Sequence, residues 1–286
     1  MNQAIQGKSL GAKSAHAYLY ASIFDEYRFV PPQNWPELAN CDESDKEDTQ
    51  PYICFEINVS TMVQCLALFE SRMSTGEKHD QDKKSSESFV ELMYRGAGEP
   101  MCLALHAGRL HMNFQLRTLD TNLIPELYFA ADSTVAQVIM KVGAPLIQSE
   151  WLARTFQELD AAGETRVHIR LHQRTSRTAP GHLEFQTENS YGSTEISFPN
   201  ETQLLEKFEC FATVNAAYPL QCISYMLQAI KTSSKTSLRI DQHGMLSIQF
   251  MIASHRAHVA PRRVPSLTVA SSGNAFVEFL VRPLLY

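Results

Sequence analysis

The order of predicted secondary-structure elements is the same in the two halves of this 286-residue chain. In each half a strand leads into an amphipathic helix, and three further strands follow. Such a module covers one face of a largely antiparallel sheet with a helix, which is an α+β arrangement. The first copy comprises strands at 52–58, 89–94, 101–106 and 109–116 with a helix at 60–70, and the second comprises strands at 210–215, 237–241, 245–252 and 275–281 with a helix at 219–230.

This repeat predicts two domains, because a repeated order of elements is the usual mark of a duplicated module. We place the first domain at 1–117, a connector at 118–134 and the second domain at 135–286. Three polar stretches, 31–51, 72–87 and 254–274, are predicted to be long loops.

Local patterns add elements to this outline. Residues 15–30 are rich in Tyr, Ile and Phe, and their side chains fall into two alternating sets that would face opposite sides of a strand. This pattern predicts one or two strands of the first domain. Ser60 is the predicted N-cap of the first helix, and 203–207 is predicted to be a short polar turn of helix. Ser149 is predicted to cap a helix with Leu152, Phe156 and Leu159 facing inward.

Apolar residues alternate with charged and histidine residues along 166–174 almost without exception. Val167, Ile169 and Leu171 are predicted to face the core of the domain. The positively charged and histidine residues between them form an outward stripe, which consists of Arg166, His168, Arg170, His172 and Arg174.

Charge and cysteine usage exclude several classes of protein. The formal net charge is -6, which argues against a protein that holds DNA by bulk positive charge, since that affinity comes from neutralised phosphates. The six cysteines contain no C-x-x-C pair, as expected for free thiols in a reducing compartment. The N-terminus carries no apolar core typical of a signal peptide, and no apolar run is long enough to span a bilayer. We expect no cofactor, since the sequence contains neither a P-loop nor a dinucleotide fingerprint.

Six segments together resemble the Rad-one subunit family of the DNA-damage checkpoint clamp, a heterotrimeric relative of replicative sliding clamps. The similarity extends from about residue 15 to the C-terminus. The segments are ASIFDEY at 21–27, FEINVS at 55–60 with CLALF at 65–69, GAGEP at 96–100, SEWLARTFQELD at 149–160, LSIQFMI at 246–252 and FVEF at 276–279.

The resemblance implies two tandem clamp domains, with antiparallel sheets outside and helices lining the inner face of a ring. It implies a nuclear, non-enzymatic subunit that assembles with two paralogous clamp subunits. A dedicated clamp loader would place this ring around double-stranded DNA without sequence specificity, and the ring would recruit checkpoint signalling and repair proteins. The family also begins with a strand and a helix that have no match here, so we expect the first domain to be incomplete.

Helices that line a ring would turn their polar positions toward DNA. A solvated helix face is the alternative for each of these residues. The DNA-facing candidates are Gln64, Arg72, Arg154, Gln157, Gln228, Lys231 and Lys235, of which the last three are assigned to the final helix.

In the clamp arrangement the outward stripe lies away from DNA. Arg166, Arg170 and Arg174 are therefore candidates for a partner surface, with simple solvation as the alternative. His168 and His172 lack a third ligand, so no metal site is expected there.

Two other functions remain open alternatives. A 3′–5′ exonuclease would use the carboxylates of Asp42, Asp45 and Asp48, although a flexible loop does not hold two metal ions at a fixed separation. A homotrimeric replication clamp would self-associate. Trp151 and Tyr225 are predicted to be packing residues rather than platforms for bases.

Overall fold

The computed structural model divides the chain into two compact units, Met1–Tyr27 with Glu126–Tyr286, and Arg28–Pro125. Each unit is described by itself. The residues described are 2–7, 13–30, 55–75, 89–107, 110–119, 127–141, 148–161, 163–176, 180–190, 192–201, 205–253 and 274–284.

Fourteen strands and four α-helices are defined in these residues. The strands are β1 Asn2–Gly7, β2 Lys13–Tyr20, β3 Phe89–Met93, β4 Met101–Ala107, β5 Leu110–Leu116, β6 Thr134–Lys141, β7 Arg166–His172, β8 His182–Asn189, β9 Gly192–Pro199, β10 Leu205–Cys210, β11 Val214–Pro219, β12 Ser233–Asp241, β13 Leu246–Ala253 and β14 Asn274–Val281. The helices are α1 Val59–Thr75, α2 Gln148–Ala161, α3 Leu220–Ser224 and α4 Leu227–Thr232.

The larger unit contains two antiparallel sheets. The first has seven strands in the order β1-β2-β14-β13-β12-β6-β10, and the second has four in the order β11-β7-β8-β9. Three helices cover them: α2 packs against β6 and β12, α3 against β7 and β11, and α4 against β12 and β13. The antiparallel sheets with few helices agree with the α+β prediction and with a sliding-clamp fold.

One continuous apolar core joins these sheets and helices. The predicted inward residues of α2, Leu152, Phe156 and Leu159, are all buried. Tyr218 is fully buried as well, and its hydroxyl donates to the carbonyl oxygen of Gly244 at 2.9 Å. Burial of apolar side chains therefore fixes which face of each helix remains open to solvent.

Among its described residues, the smaller unit contains one three-stranded sheet, β3-β4-β5, with α1 packed against β4 and β5. Its core is formed around Cys65, Leu103, Leu105 and Leu116. All five residues of β3 are exposed. An isolated antiparallel bridge pairs Glu56, just before α1, with Leu119, just after β5.

Residues 15–30 were expected to open the first domain, but β2 pairs with β14 in the larger unit. Alternation along a strand identifies its buried face, but it carries no information about which sheet edge the strand joins. The domain boundaries at 117 and 135, and the internal duplication, stay predictions.

Four local predictions are wrong. The cap of α1 is Asn58 instead of Ser60, since the Asn58 Oδ1 accepts a hydrogen bond from the Thr61 amide at 3.0 Å. The stretch predicted as strand 210–215 holds the turn between β10 and β11, and the polar turn of helix predicted at 203–207 overlaps β10. The helix predicted at 219–230 is two short helices.

The prediction about membranes concerns helices alone. Within the described ranges, no helix has both the length and the apolar character required to cross a bilayer. The predicted loop 31–51, all but the last residue of 254–274 and most of 72–87 lie outside the described residues.

Candidate nucleic-acid interface

Helix α2 presents a polar side to solvent. Leu152, Phe156 and Leu159 bury the other side of the helix. Because residues three or four apart share a helix face, Trp151, Arg154 and the neighbouring Gln157 are left exposed. The structure thus places two of the predicted DNA-facing residues together on one helix.

Helix α4 packs beside α2. Its Gln228 and Lys231 are exposed, while Ile230 is buried in the core. Upstream, the exposed Gln221 donates its amide to the hydroxyl of Tyr225 at 3.1 Å. We call the exposed residues Trp151, Arg154, Gln157, Tyr225, Gln228 and Lys231 the helix face.

The helix face contains two aromatic residues that were expected to pack inside. Trp151 is 47% exposed and Tyr225 is 54% exposed, so the prediction that they are packing residues is wrong. The spacing of Trp151 and Arg154 places both on the polar side of α2, and this spacing was the sequence signal that would have revealed the exposed tryptophan.

The charge of the helix face together with its neighbours on α2 is close to balanced. Arg154 and Lys231 supply two cations, and the exposed Glu158 and Asp160 on α2 supply two carboxylates. Non-specific DNA affinity grows with the number of phosphates that cations neutralise. A face of this composition is therefore suited to lie near DNA without binding it strongly.

The two remaining candidates on helices lie in the smaller unit. Gln64 is exposed on α1. Arg72 also belongs to α1, but its side chain lies outside the described part of the chain. That both residues face DNA stays a prediction.

Lys235 is in β12 and not in the last helix, which ends at Thr232. Successive side chains of a strand point to opposite faces, and Leu238 and Ile240 of β12 point into the helix-covered core. Lys235 therefore lies on the sheet face opposite the helices. There its Nζ is 3.0 Å from the Glu206 carboxylate, so Lys235 is not part of the helix face.

The outward stripe on β7 is partly neutralised by its neighbours. The guanidinium of Arg170 donates to Glu184 Oε1 at 2.8 Å and to Asn215 Oδ1 at 3.4 Å. Arg166 and Arg174 are exposed, and Arg174 lies beyond the end of β7, where it donates to the carbonyl of Ser176 at 3.3 Å. The stripe as a partner surface stays a prediction.

The structure brings together a cluster that the sequence did not predict, formed by His172, His182 and Glu184 on two neighbouring strands. The ligand atoms of these residues lie within 4.8 Å of one another. His182 and Glu184 are two residues apart and therefore on one face of β8, beside β7. That spacing in the next strand of the hairpin was the available signal.

Comparisons with known proteins converge on one family. The family model described as "Repair protein Rad1/Rec1/Rad17" matches residues 8–252. "Cell cycle checkpoint protein RAD1" of Homo sapiens is 25% identical over 245 residues, which cover 86% of this chain and 72% of the human protein. "DNA damage checkpoint control protein rad1" of Schizosaccharomyces pombe is 25% identical over 246 residues, covering 83% and 68% of the two chains. "DNA repair exonuclease REC1" of Mycosarcoma maydis is 29% identical over 228 residues, covering 68% and 47%.

Proposed function

Because this chain belongs to the Rad1/Rec1/Rad17 family of repair proteins, we propose that it is a subunit of a heterotrimeric checkpoint clamp that encircles DNA at damage sites. It acts there as a binding platform for checkpoint signalling and repair proteins and performs no reaction of its own. A clamp loader places the ring on DNA, and the protein works in the nucleus.

The family match over residues 8–252 carries this proposal, since the matched range includes residues of both units. Relatives from Homo sapiens and Schizosaccharomyces pombe have names that describe checkpoint proteins. The antiparallel sheets, covered on one side by helices in each unit, are consistent with the fold that such a subunit requires.

The helix face supports a topological grip on DNA. A ring that encloses duplex stays bound without strong contacts, so its lining needs only polar side chains with few cations. Arg154 and Lys231 offset by Glu158 and Asp160 fit that requirement. They also remove the apparent conflict between DNA binding and a net charge of -6.

Assembly tests the proposal. Co-expression with the two paralogous subunits should give a complex with one copy of each chain and a ring-shaped outline by electron microscopy. If the three chains migrate separately in gel filtration, the proposal is wrong. If this chain alone forms a trimer, the homotrimeric replication clamp is the correct reading instead.

Exonuclease activity is the second candidate, because one relative is named "DNA repair exonuclease REC1". The carboxylates assigned to it, Asp42, Asp45 and Asp48, lie outside the described residues. Metal-dependent removal of 3′ nucleotides that disappears in the D42N/D45N/D48N variant would establish this function. Activity that is unchanged in that variant would come from a contaminant.

A further inference from the structure

We propose that His172, His182 and Glu184 form a binding site for one divalent transition metal ion, with Zn²⁺ the best match. The inference is independent of the clamp function, because it rests on the geometry of one hairpin. That hairpin consists of β7 and β8.

Strand register brings the three ligands together. His172 and His182 are direct partners in the antiparallel pairing of β7 and β8, and Glu184 is opposite Arg170, two residues farther along. Cross-strand partners and their diagonal neighbours lie close enough for long side chains to meet. The two imidazole rings are stacked, with centroids 4.2 Å apart and planes inclined by 12°, so the rings must rotate about their Cβ–Cγ bonds to turn both in-plane lone pairs toward one ion.

The separations between ligand atoms suit coordination better than hydrogen bonding. Glu184 Oε2 is 3.5 Å from His172 Nε2 and 3.8 Å from His182 Nε2. An N–H···O hydrogen bond is shorter, at about 2.7–3.2 Å. Ligands held at about 2.0–2.1 Å around a tetrahedral zinc ion are about 3.3 Å apart. The three ligand atoms of the cluster lie within 4.8 Å of one another, so side-chain rotation that closes this gap brings all three onto one ion.

The Nε2 atom of His172 is a second and independent indication. It is shielded from solvent and has no hydrogen-bond partner among the described residues. A shielded polar atom without a partner is costly and requires an explanation. A metal ion bound to its lone pair supplies the missing interaction.

The carboxylate of Glu184 is oriented for this role. Its side chain is only 7% exposed, and Arg170 holds Oε1 at 2.8 Å, which leaves Oε2 directed at the two histidines. A fixed outer partner of this kind orients a metal ligand and maintains its charge. The histidine side chains are about one third exposed, so the cluster lies at the protein surface even though the His172 Nε2 atom itself is shielded.

The donor set determines the class of metal. Two imidazole nitrogens and one carboxylate oxygen favour Zn²⁺ and neighbouring first-row ions over Mg²⁺ or Ca²⁺, which prefer oxygen ligands. Three protein ligands leave a fourth position for water or for a ligand from another molecule.

Metal titration of the full chain, stripped beforehand with a chelator, tests the site. Calorimetry with ZnCl₂ should show a binding event that weakens at least ~10-fold in His182→Gln and in the H172N/H182Q variant, since loss of even an outer-shell partner costs 10–100-fold. His168→Asn, on the same face of β7, is the matched control and should bind like the unmodified chain.

Cobalt substitution separates this site from the cysteines. Co²⁺ bound at the cluster should give the visible absorption of a tetrahedral nitrogen and oxygen site, without a thiolate charge-transfer band, and the absorption should vanish in His182→Gln. Zinc binding of equal affinity in the H172N/H182Q variant, with unfolding that matches the unmodified apo chain, would overturn the proposal. A cobalt spectrum of thiolate type that the histidine variants leave intact would do the same.

Discussion

Arg239 on β12 and Glu278 on β14 form an ion pair across the strand between them, with Nη2 and Oε1 2.9 Å apart. Ser247, on the intervening β13, donates to the same carboxylate oxygen at 2.6 Å and accepts from Arg239 at 3.1 Å. The Arg239 guanidinium also lies 4.7 Å from the centre of the Phe129 ring. A connected and mostly buried polar network thus joins three strands on the sheet face opposite the helices.

Replacing Glu278 by alanine should destabilise the larger unit by about 3 kcal/mol, because it leaves the mostly buried charge of Arg239 without its carboxylate partner. Urea unfolding followed by circular dichroism measures this loss. The control is Glu209→Ala, which breaks the exposed pair with Lys207 and should cost less than about 1 kcal/mol. Equal losses in the two variants would show that burial does not set the strength of the Arg239 pair.

Tyr218 should make stability depend on pH in the alkaline range. Burial first, and then the nearby Asp241 carboxylate, raise the pKa of Tyr218, while a tyrosine in the unfolded chain ionises near pH ~10. The folded state therefore retains a proton that the unfolded state loses. The stabilisation is complete below pH ~10 and is lost as the pH rises toward the folded-state pKa.

The Tyr218→Phe variant tests this dependence. At pH 8 it should be about 1 kcal/mol less stable, because the hydrogen bond to Gly244 is lost. Above pH ~10 the unfolding free energy of the variant should fall less than that of the unmodified chain. Urea titrations at a series of pH values should therefore show the gap between the two unfolding free energies narrowing as the pH rises. Tyr128→Phe, at a side chain that is 79% exposed, should follow the unmodified chain throughout. A constant difference from pH 8 to pH 11 would contradict the prediction.

Asn58 should contribute about 1 kcal/mol to the stability of α1, because its side chain satisfies a free amide at the helix start. Asn58→Ala should lower the unfolding free energy of the smaller unit by that amount, whereas Asn58→Asp should retain most of it. Hydrogen exchange of the first-turn amides reports the change locally. Ser60→Ala is the control, and a larger effect there would identify Ser60 as the cap after all.

Residue patterns predict strands with one buried face well and sheet edges poorly. The alternation at 166–174 locates β7, since Val167, Ile169 and Leu171 are all fully buried. Strand β10 was not predicted because it forms the last strand of the seven-stranded sheet, where four of its six residues are only half-buried and one is exposed. The helix after Pro219 was predicted as one because its apolar spacing continues through Tyr225 and Met226, where the two short helices separate.

The candidate site was likewise predictable where it depends on local spacing and not where it depends on strand pairing. Arg154 and Gln157 are found on the exposed side of α2 because helical spacing alone places them there. The register of β7 and β8 is set by contacts distant in sequence, so His182 and Glu184 were not connected with His172. Lys235 was misplaced because the boundary between α4 and β12 lies within a polar stretch that has no glycine or proline to mark the end of the helix.

Gly181 should not tolerate a side chain. A Cβ added there would lie 2.7 Å from the carbonyl oxygen of His172 and 2.5 Å from the Phe208 ring. Because backbone cannot yield as a flexible side chain does, Gly181→Ala should destabilise the larger unit by about 1–3 kcal/mol, as overpacking does. The measurement is thermal unfolding. Gly96→Ala meets no atom within 4 Å but is strained by its positive φ, so it reports the cost of backbone strain without a steric clash. A Gly181 variant as stable as the unmodified chain would mean that β7 and β8 separate readily at this end.

Removing the two cations of the helix face should weaken the salt dependence of DNA binding. Each phosphate contact contributes about 0.9 to the magnitude of the slope of log affinity against log salt concentration. The slope measured for the R154A/K231A variant should therefore be smaller in magnitude by up to about 2. The measurement uses the assembled complex and linear duplex, titrated at several salt concentrations. Lys235→Ala, on the opposite face of the sheet, should leave the slope unchanged. A slope that falls with Lys235→Ala and not with R154A/K231A would place DNA on the outer face of the sheet and reject the helix face as its lining.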